Sequence, residues 1–382
     1  MIQAMFFVII VVIGWVFIAY PLLLLALNKM LKVHAVQQPN TERTVSLIIA
    51  AYNEERVIGR KIENTLKLDY PKEKLEVIVF SDASSDRTDG IVKSYEMKGV
   101  KLVRIEGRKG KVFCKNEVAK MANGEILVFS DANSMYEPCA IKELVKHFSD
   151  PAVGCVGGEL RYKYKEQVMG EGLYWRYEQW IKRMEGNLGN LTTVNGAIYA
   201  IKKDVFEPLP VDVPDDFGIT ILVRAKGFKV VHEPNAVAWE ETAPNVKAEM
   251  KRRVRMVAQA SYCLFRKPQF RRLLNPLKYG FLAVQLWSHK VLRWFTGLFL
   301  VTALLLNVFL VGENVLFTIS LWGQVLFYIL AVSGIVQEYW IGKKSPKLVH
   351  IISYFVLSCY AMLHGLWKGL RGKTFITWTP VR

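Results

Sequence analysis

Three short acidic stretches, AYNEE at Ala51–Glu55, SDASSD at Ser81–Asp86 and SDANS at Ser130–Ser134, each follow directly on a run rich in Val and Ile. Carboxylates repel one another, so three such clusters gathered at strand ends need a shared partner. A nucleoside diphosphate with a divalent cation would supply it. One aspartate can hydrogen-bond the base or ribose, a second can ligate a hard cation through oxygen, and the cation can neutralise phosphate charge. Taken singly, each stretch also suits an ordinary Asx turn. In SDANS the position where a second aspartate might be expected is Asn133. Its amide carbonyl is still an oxygen ligand but brings no charge.

The elements that must gather these stretches are readable between about residues 44 and 268. Runs such as VSLIIAAY, LEVIVFSD, VKLVRIEG and EILVFSD alternate with amphipathic EERVIGRKIENTLKL, TDGIVKSYEMK and VFCKNEVAKMA. This alternation predicts βαβ units: an α/β fold with a mostly parallel sheet and helices on both faces. Ligands of such sheets lie beyond the carboxyl ends of the strands, which puts all three acidic clusters on one rim. LYWRYEQWIKRME carries Leu173, Tyr177, Trp180, Ile181 and Met184 at helical spacing. That stripe reads first as a packing face, with an aromatic wall for a sugar acceptor as the sharper alternative. His147 and His232 read as structural.

The chain has 382 residues, 52% of them hydrophobic, and 51 Lys and Arg against 34 Asp and Glu, a net charge of +17. Anionic phospholipid, nucleic acid or a phosphate-rich substrate could each answer that charge. No groove-reading motif is present and the basic residues cluster beside apolar segments, so nucleic acid is excluded as a partner. Met5 to Leu27 is apolar and long enough to cross a bilayer. It lacks the basic leader of a secretory signal, and Lys29, Lys32 and Arg43 follow it, placing the next domain in the cytoplasm. The expected organisation is an N-terminal span over 1–30, the α/β domain over 44–268, interfacial helices over 269–294, further spans over 295–367 and a basic tail over 368–382. Counting four crossings puts this tail outside, whereas Lys368, Arg371, Lys373 and Arg382 favour the cytoplasm. Five cysteines without close spacing suggest neither disulfides nor zinc.

In order along the chain, IIAAYNEE, SDASSDRTDG, RKGKVFCKN, FSDAN, NGAIYA, PDDFGITILVRAKGFKVV and KRRVRM resemble the family 2 glycosyltransferases and their GT-A nucleotide-sugar-binding fold. The membrane-embedded members, such as hyaluronan, chitin and cellulose synthases, are most similar. The resemblance covers about Val45 to Met256. It implies that Asp82 contacts the nucleobase over a floor of Ala51, Asn53 and Glu54, and that Lys111 lies beside the nucleotide. Asp131 and Asn133 occupy the D-x-D position, whose side chains bind Mg or Mn bridging the diphosphate. Asp216, second of the pair with Asp215, falls on the general base, and Arg252, Arg253 and Arg255 match the Q-x-x-R-W region near the pyrophosphate. Asn195 and Gly196 of NGAIYA are where contacts to the acceptor or donor sugar are expected.

The activity so implied is membrane-integrated, inverting transfer from a UDP-sugar, with polysaccharide as the leading product. Single transfer to a lipid-linked acceptor is one alternative, and an inactive sugar-nucleotide-binding scaffold is another. Asn133 implies weaker cation binding, more dependent on substrate phosphates. Met256 stands where processive synthases have tryptophan, which puts processivity in question. Cell-membrane localisation is expected, and homo-oligomerisation is left open.

Overall fold

A computed structural model describes residues 1–31, 43–163, 169–241 and 246–377, leaving aside the side chains of 169–174 and 339. Lys32, the Leu173 side chain and Arg382 therefore lie outside the described residues. The chain divides into two compact units, one α/β and one helical.

In the α/β unit, residues 26–167, 179–244 and 374–382, eight strands form one sheet. They are β1 (Val45–Ala51), β2 (Leu75–Asp82), β3 (Val100–Ile105), β4 (Ile126–Asp131), β5 (Met135–Tyr136), β6 (Val153–Lys163), β7 (Ile198–Lys202) and β8 (Lys229–Glu241), ordered β3-β2-β1-β4-β7-β6-β8-β5. The first four strands are parallel, as their βαβ pattern predicts. Every residue of β1 is buried, as expected of a central strand covered on both faces. Direction then changes: β7 runs antiparallel to β4 and β6, while β6 and β8 are parallel. The sheet is thus mixed in its second half, where helix Met169–Asn187 lies between β6 and β7 and helix Asp215–Ala225 between β7 and β8.

The register brings the acidic clusters together. Ala50 lies opposite Asp131, and Ala51 opposite Ser81, so Asp82 and Asp131 close the two strands flanking β1. Helix Lys111–Met121 follows β3, and helix Asp215–Ala225 begins at the aspartate pair. Both histidines are structural: His147 Nε2 lies 2.7 Å from Glu233 and His232 Nε2 2.8 Å from Glu159. All five cysteines are free, and all but Cys139 are buried.

The helical unit contains residues 1–25, 168–178 and 245–373. Among the described residues, three helices are long and apolar enough to cross a membrane: Ile2–Met30, Val315–Glu338 and Lys347–Leu370. A fourth segment, Phe281–Trp294 with Thr296–Val308, is bent by 62°. The stretch expected as interfacial helices over 269–294 forms short helical pieces, because Gly280 turns at φ 49° and a π-helical turn occupies Leu286–Val291. Helix Val246–Arg266 lies against Lys347–Leu370. Gly365 and Gly369 let it approach, since a Cβ on either would meet backbone of the facing helix. That packing places 246–266 with the helical unit, whereas the sequence pattern alone runs the α/β domain to 268.

Candidate active site

Asp82 ends β2 with its side chain fully buried. Oδ1 accepts from the Lys109 N–H at 2.7 Å, and Oδ2 accepts from the Gly110 N–H at 3.0 Å and Arg108 Nη1 at 2.9 Å. Arg108 has a left-handed backbone (φ 52°), and its guanidinium lies 3.0 Å from the centre of the Tyr52 ring. Gly110 turns at φ 94°, and a Cβ there would strike the Ile376 carbonyl, so no other residue fits. The loop after β1 is tied to the one after β2. The Asn53 N–H donates to Ser84 Oγ at 3.1 Å, Asn53 Oδ1 accepts from the Ser85 N–H at 2.8 Å, and the Glu54 N–H donates to Thr88 Oγ1 at 2.8 Å. Ala51 and Glu54 are buried beneath this join.

Asp131 ends β4 under different conditions. Lys111 Nζ lies 2.5 Å from its Oδ1, yet that buried oxygen has no aligned hydrogen-bond donor. Asn133 is exposed two residues on. No group of three His, Cys, Asp or Glu able to hold a metal occurs among the described residues. One carboxylate and one amide still suit a hard cation whose remaining ligands are phosphate and water. Behind this turn, fully buried Lys61 donates to the Ser134 carbonyl and lies 3.8 Å from the centre of the Tyr136 ring. Burial lowers the Lys61 pKa to about 7, although Asp131 and Glu240 oppose the shift.

Asp215 and Asp216 occupy the first turn of their helix. Lys115 Nζ bonds to Asp215 Oδ2, and its side chain is 2% exposed. The Phe217 N–H donates to Asp216 Oδ1 at 2.8 Å, and a Cβ at Gly196 would lie 3.8 Å from Asp216 Oδ2. Burial alone would raise the Asp215 pKa, but Lys115 and Lys111 hold it well below the carboxylate range. Burial, then the Asp215 charge, pushes Asp216 up. Burial disfavours the Lys111 ammonium, but Asp131, Asp215 and Asp216 outweigh it and raise its pKa. These charges therefore form one coupled set. An aspartate with a raised pKa can take a proton, and an array of lysines and acids can hold a diphosphate and cation.

Residues 41–258 match the family described as Glycosyltransferase like family 2. The chain belongs to this family. Among this glycosyltransferase's relatives, the poly-beta-1,6-N-acetyl-D-glucosamine synthase of Staphylococcus epidermidis is 27% identical over 222 residues, 55% of this chain and 53% of the relative. The probable glycosyltransferase YdaM of Bacillus subtilis (strain 168) is 28% identical over 279 residues, 65% of this chain and 64% of the relative. The matched part thus spans roughly half to two thirds of the curated relatives' length. Mannosyltransferase PcManGT from Pyrobaculum calidifontis, solved in complex with GDP-Man and Mn2+, shares the fold. Its TM-score is 0.66 at 21% identity, covering 95% of this chain and 99% of that one.

The Asn195 side chain is buried. Its Oδ1 accepts from Lys182 Nζ at 2.9 Å, and its Nδ2 donates to the Gly158 carbonyl at 2.7 Å. The arginines belong to the helical unit. Arg252 pairs with Glu249 at 2.7 Å, and buried Arg253 donates to Ser358 Oγ at 2.6 Å and Tyr354 Oη at 3.2 Å. Arg255 is half-buried on the same helix. Sequence reading missed Lys115, Lys182 and Arg108. Only Lys115 carried a usable signal, lying one helical turn from Lys111.

Proposed function

We propose that this glycosyltransferase is membrane-integrated and inverting, moving a sugar from a nucleoside diphosphate donor, UDP-sugars first, to an acceptor hydroxyl in polysaccharide synthesis. The observation that carries the reading is the separation of Asp215 from Asp216: adjacent carboxylates, one paired with lysine and the other beside Gly196 with an upward-shifted pKa. In the reaction, Asp216 takes the acceptor proton and the acceptor oxygen bonds to the anomeric carbon. The bond from that carbon to the diphosphate breaks, and its electron pair leaves on the diphosphate. A single base without a nucleophile for a double displacement accords with inversion.

Asp131 and Asn133 would hold Mg or Mn, which when bound would supply charge neutralisation to the leaving diphosphate. Lys111 would lie beside that diphosphate. Asp82 would face the nucleobase, its carboxylate exchanging the Arg108 contact for an N–H of the base. The polysaccharide synthases among the relatives support a polymer product. Met256, 50% exposed at the position that is tryptophan in processive synthases, favours single transfer to a lipid-linked acceptor as the second reading.

The three apolar helices support a multi-pass protein of the cell membrane. Ile376 packs on Gly110 of the α/β unit, which favours the tail on the same, cytoplasmic side as that unit. The test is nucleoside diphosphate release by the purified chain with Mn2+ or Mg2+, offered UDP-N-acetylglucosamine, UDP-glucose and GDP-mannose, with products sized on a gel. Turnover of one donor, lost in Asp216→Asn while nucleotide still binds, is expected. A polymer smear supports synthesis of a polysaccharide, and one discrete glycolipid supports single transfer. Binding without turnover in detergent and in lipid vesicles would leave the scaffold reading.

A further inference from the structure

Lysine at the fifth position of helix Lys111–Met121 looks like an ordinary surface residue in sequence, yet its side chain is 2% exposed. Lys111 and Lys115 stand one turn apart and therefore on one face. Each meets a different aspartate: Lys111 meets Asp131, and Lys115 meets Asp215 from another part of the chain. Around Lys115 Nζ, the Phe129 and Tyr199 ring centres lie at 4.9 and 5.0 Å, and the Tyr199 hydroxyl at 3.5 Å. Those rings are stacked, with centres 5.0 Å apart. An apolar side chain would fill this place without burying a charge, and lysine is rarely buried unless paired. Packing alone thus leaves the choice of lysine unexplained.

Two adjacent carboxylates without a counterion share one proton, and their titration then belongs to the pair. We infer that Lys115 is a positioning residue that reserves Asp215 as a fixed anion, so that Asp216 alone of the two exchanges a proton with the acceptor. The inference rests on the reading of Asp216 as the base and specifies how that base is singled out. Asp215 on its own helix, Lys182 on 169–187 and Lys111 on 111–121 act directly on Asp216, and Tyr199 on β7 faces it. Lys115 on 111–121 acts through Asp215, and Asp131 on β4 through Lys111. Of these, Lys115 bonds directly to the competing carboxylate. During transfer the acceptor proton moves to Asp216 and the electron pair leaves on the diphosphate, while Lys115 and Asp215 keep their charges and their bond. The downward shift of Asp215 and upward shift of Asp216 agree with this division.

The experiment uses the full chain in detergent with Mn2+ and whichever of UDP-N-acetylglucosamine, UDP-glucose or GDP-mannose turns over, with kcat and KM followed against pH. Lys115→Met should lower kcat by about 10²-fold, in the range of lost acid–base catalysis, with donor KM nearly unchanged. Its acid limb should move up by about one pH unit, because losing a nearby cation disfavours full ionisation of the pair. Lys115→Arg should restore most of kcat and the limb. Should Lys115→Met fail to fold, the double variant Lys115→Met, Asp215→Asn removes both buried charges together. Its limb should lie below that of the wild type, since Asp216 loses the neighbouring negative charge.

An unmoved limb in the double variant would overturn the inference. So would wild-type kcat and pH profile in Lys115→Met, or equal losses in the Met and Arg variants with the limb in place. Wild-type turnover by Asp216→Asn would overturn the base assignment and this inference with it. An inactive Asp216→Asn beside a normal Lys115→Met would overturn this inference alone.

Discussion

Asp82 and Asp131 close the two strands that flank β1, yet their surroundings differ. Asp82 is fully buried, and both oxygens accept from the 108–110 loop at 2.7–3.0 Å. Asp131 faces Lys111, with an oxygen that lacks an aligned donor. The first carboxylate is largely committed to shaping a loop. The second is balanced by a side-chain cation that another cation can replace. One residue type at equivalent strand ends therefore has two environments, and the supply of donors separates them: the loop after β3 turns two backbone N–H groups and the Arg108 guanidinium toward Asp82, whereas the turn after β4 sends no aligned donor to Asp131 Oδ1.

The largest test of that contrast is to delete the exchangeable carboxylate. Asp131→Ala should cut turnover by about 10²- to 10³-fold, the range for losing one stabiliser of transition-state charge. The melting temperature should hardly change, and chelation of the wild type should give a similar loss that Mn2+ reverses. Asp82→Ala should behave oppositely. Three donors lose their acceptor, which costs about 3 kcal/mol, so the loss should appear first as a lower melting temperature in detergent. Comparable melting of the two variants would break the contrast.

Smaller changes would sharpen it. Lys111→Met removes the cation that competes for Asp131, so Mn2+ affinity measured calorimetrically without donor should tighten by about tenfold while turnover falls. Arg108→Ala should give the smallest effect, a donor KM lower by about two- to threefold. Its guanidinium covers the Tyr52 ring and holds Asp82, the stacking face and the acceptor that a nucleobase would use. A raised KM would mean that Arg108 holds the base instead.

Much of this rim is readable in the sequence because each acidic cluster follows a buried β-branched run, and parallel strands put their ends on one side. Strand direction beyond β4 is not readable, since β7 joins β4 through contacts 70 or so residues apart along the chain that no local spacing encodes. The spacing of Lys115 from Lys111 is readable, but its pairing is not, because its partner Asp215 is 100 positions away. The neighbours of Arg253 are equally non-local: it donates to Tyr354 and Ser358, about 100 positions along the chain, and shares Glu249 with Arg252. Asn195 belongs to a motif expected at the sugar, and its amide bonds to Lys182 and Gly158, so what NGAIYA brings beside Asp216 is the backbone of Gly196.

The two lysines of helix 111–121 also carry a metric consequence. Sugar transfer sends a proton one way and an electron pair the other, and the catalyst must hold both destinations at a constant separation. Here a single rigid rod touches both, with Lys111 on the carboxylate assigned to the cation and Lys115 on the partner of the base. The rise over those four residues, about 6 Å, would thus act as a ruler between the two poles of the proposed reaction. Inserting a single residue between Lys111 and Lys115 would rotate one pole out of line by about 100° without altering any residue that meets the sugar.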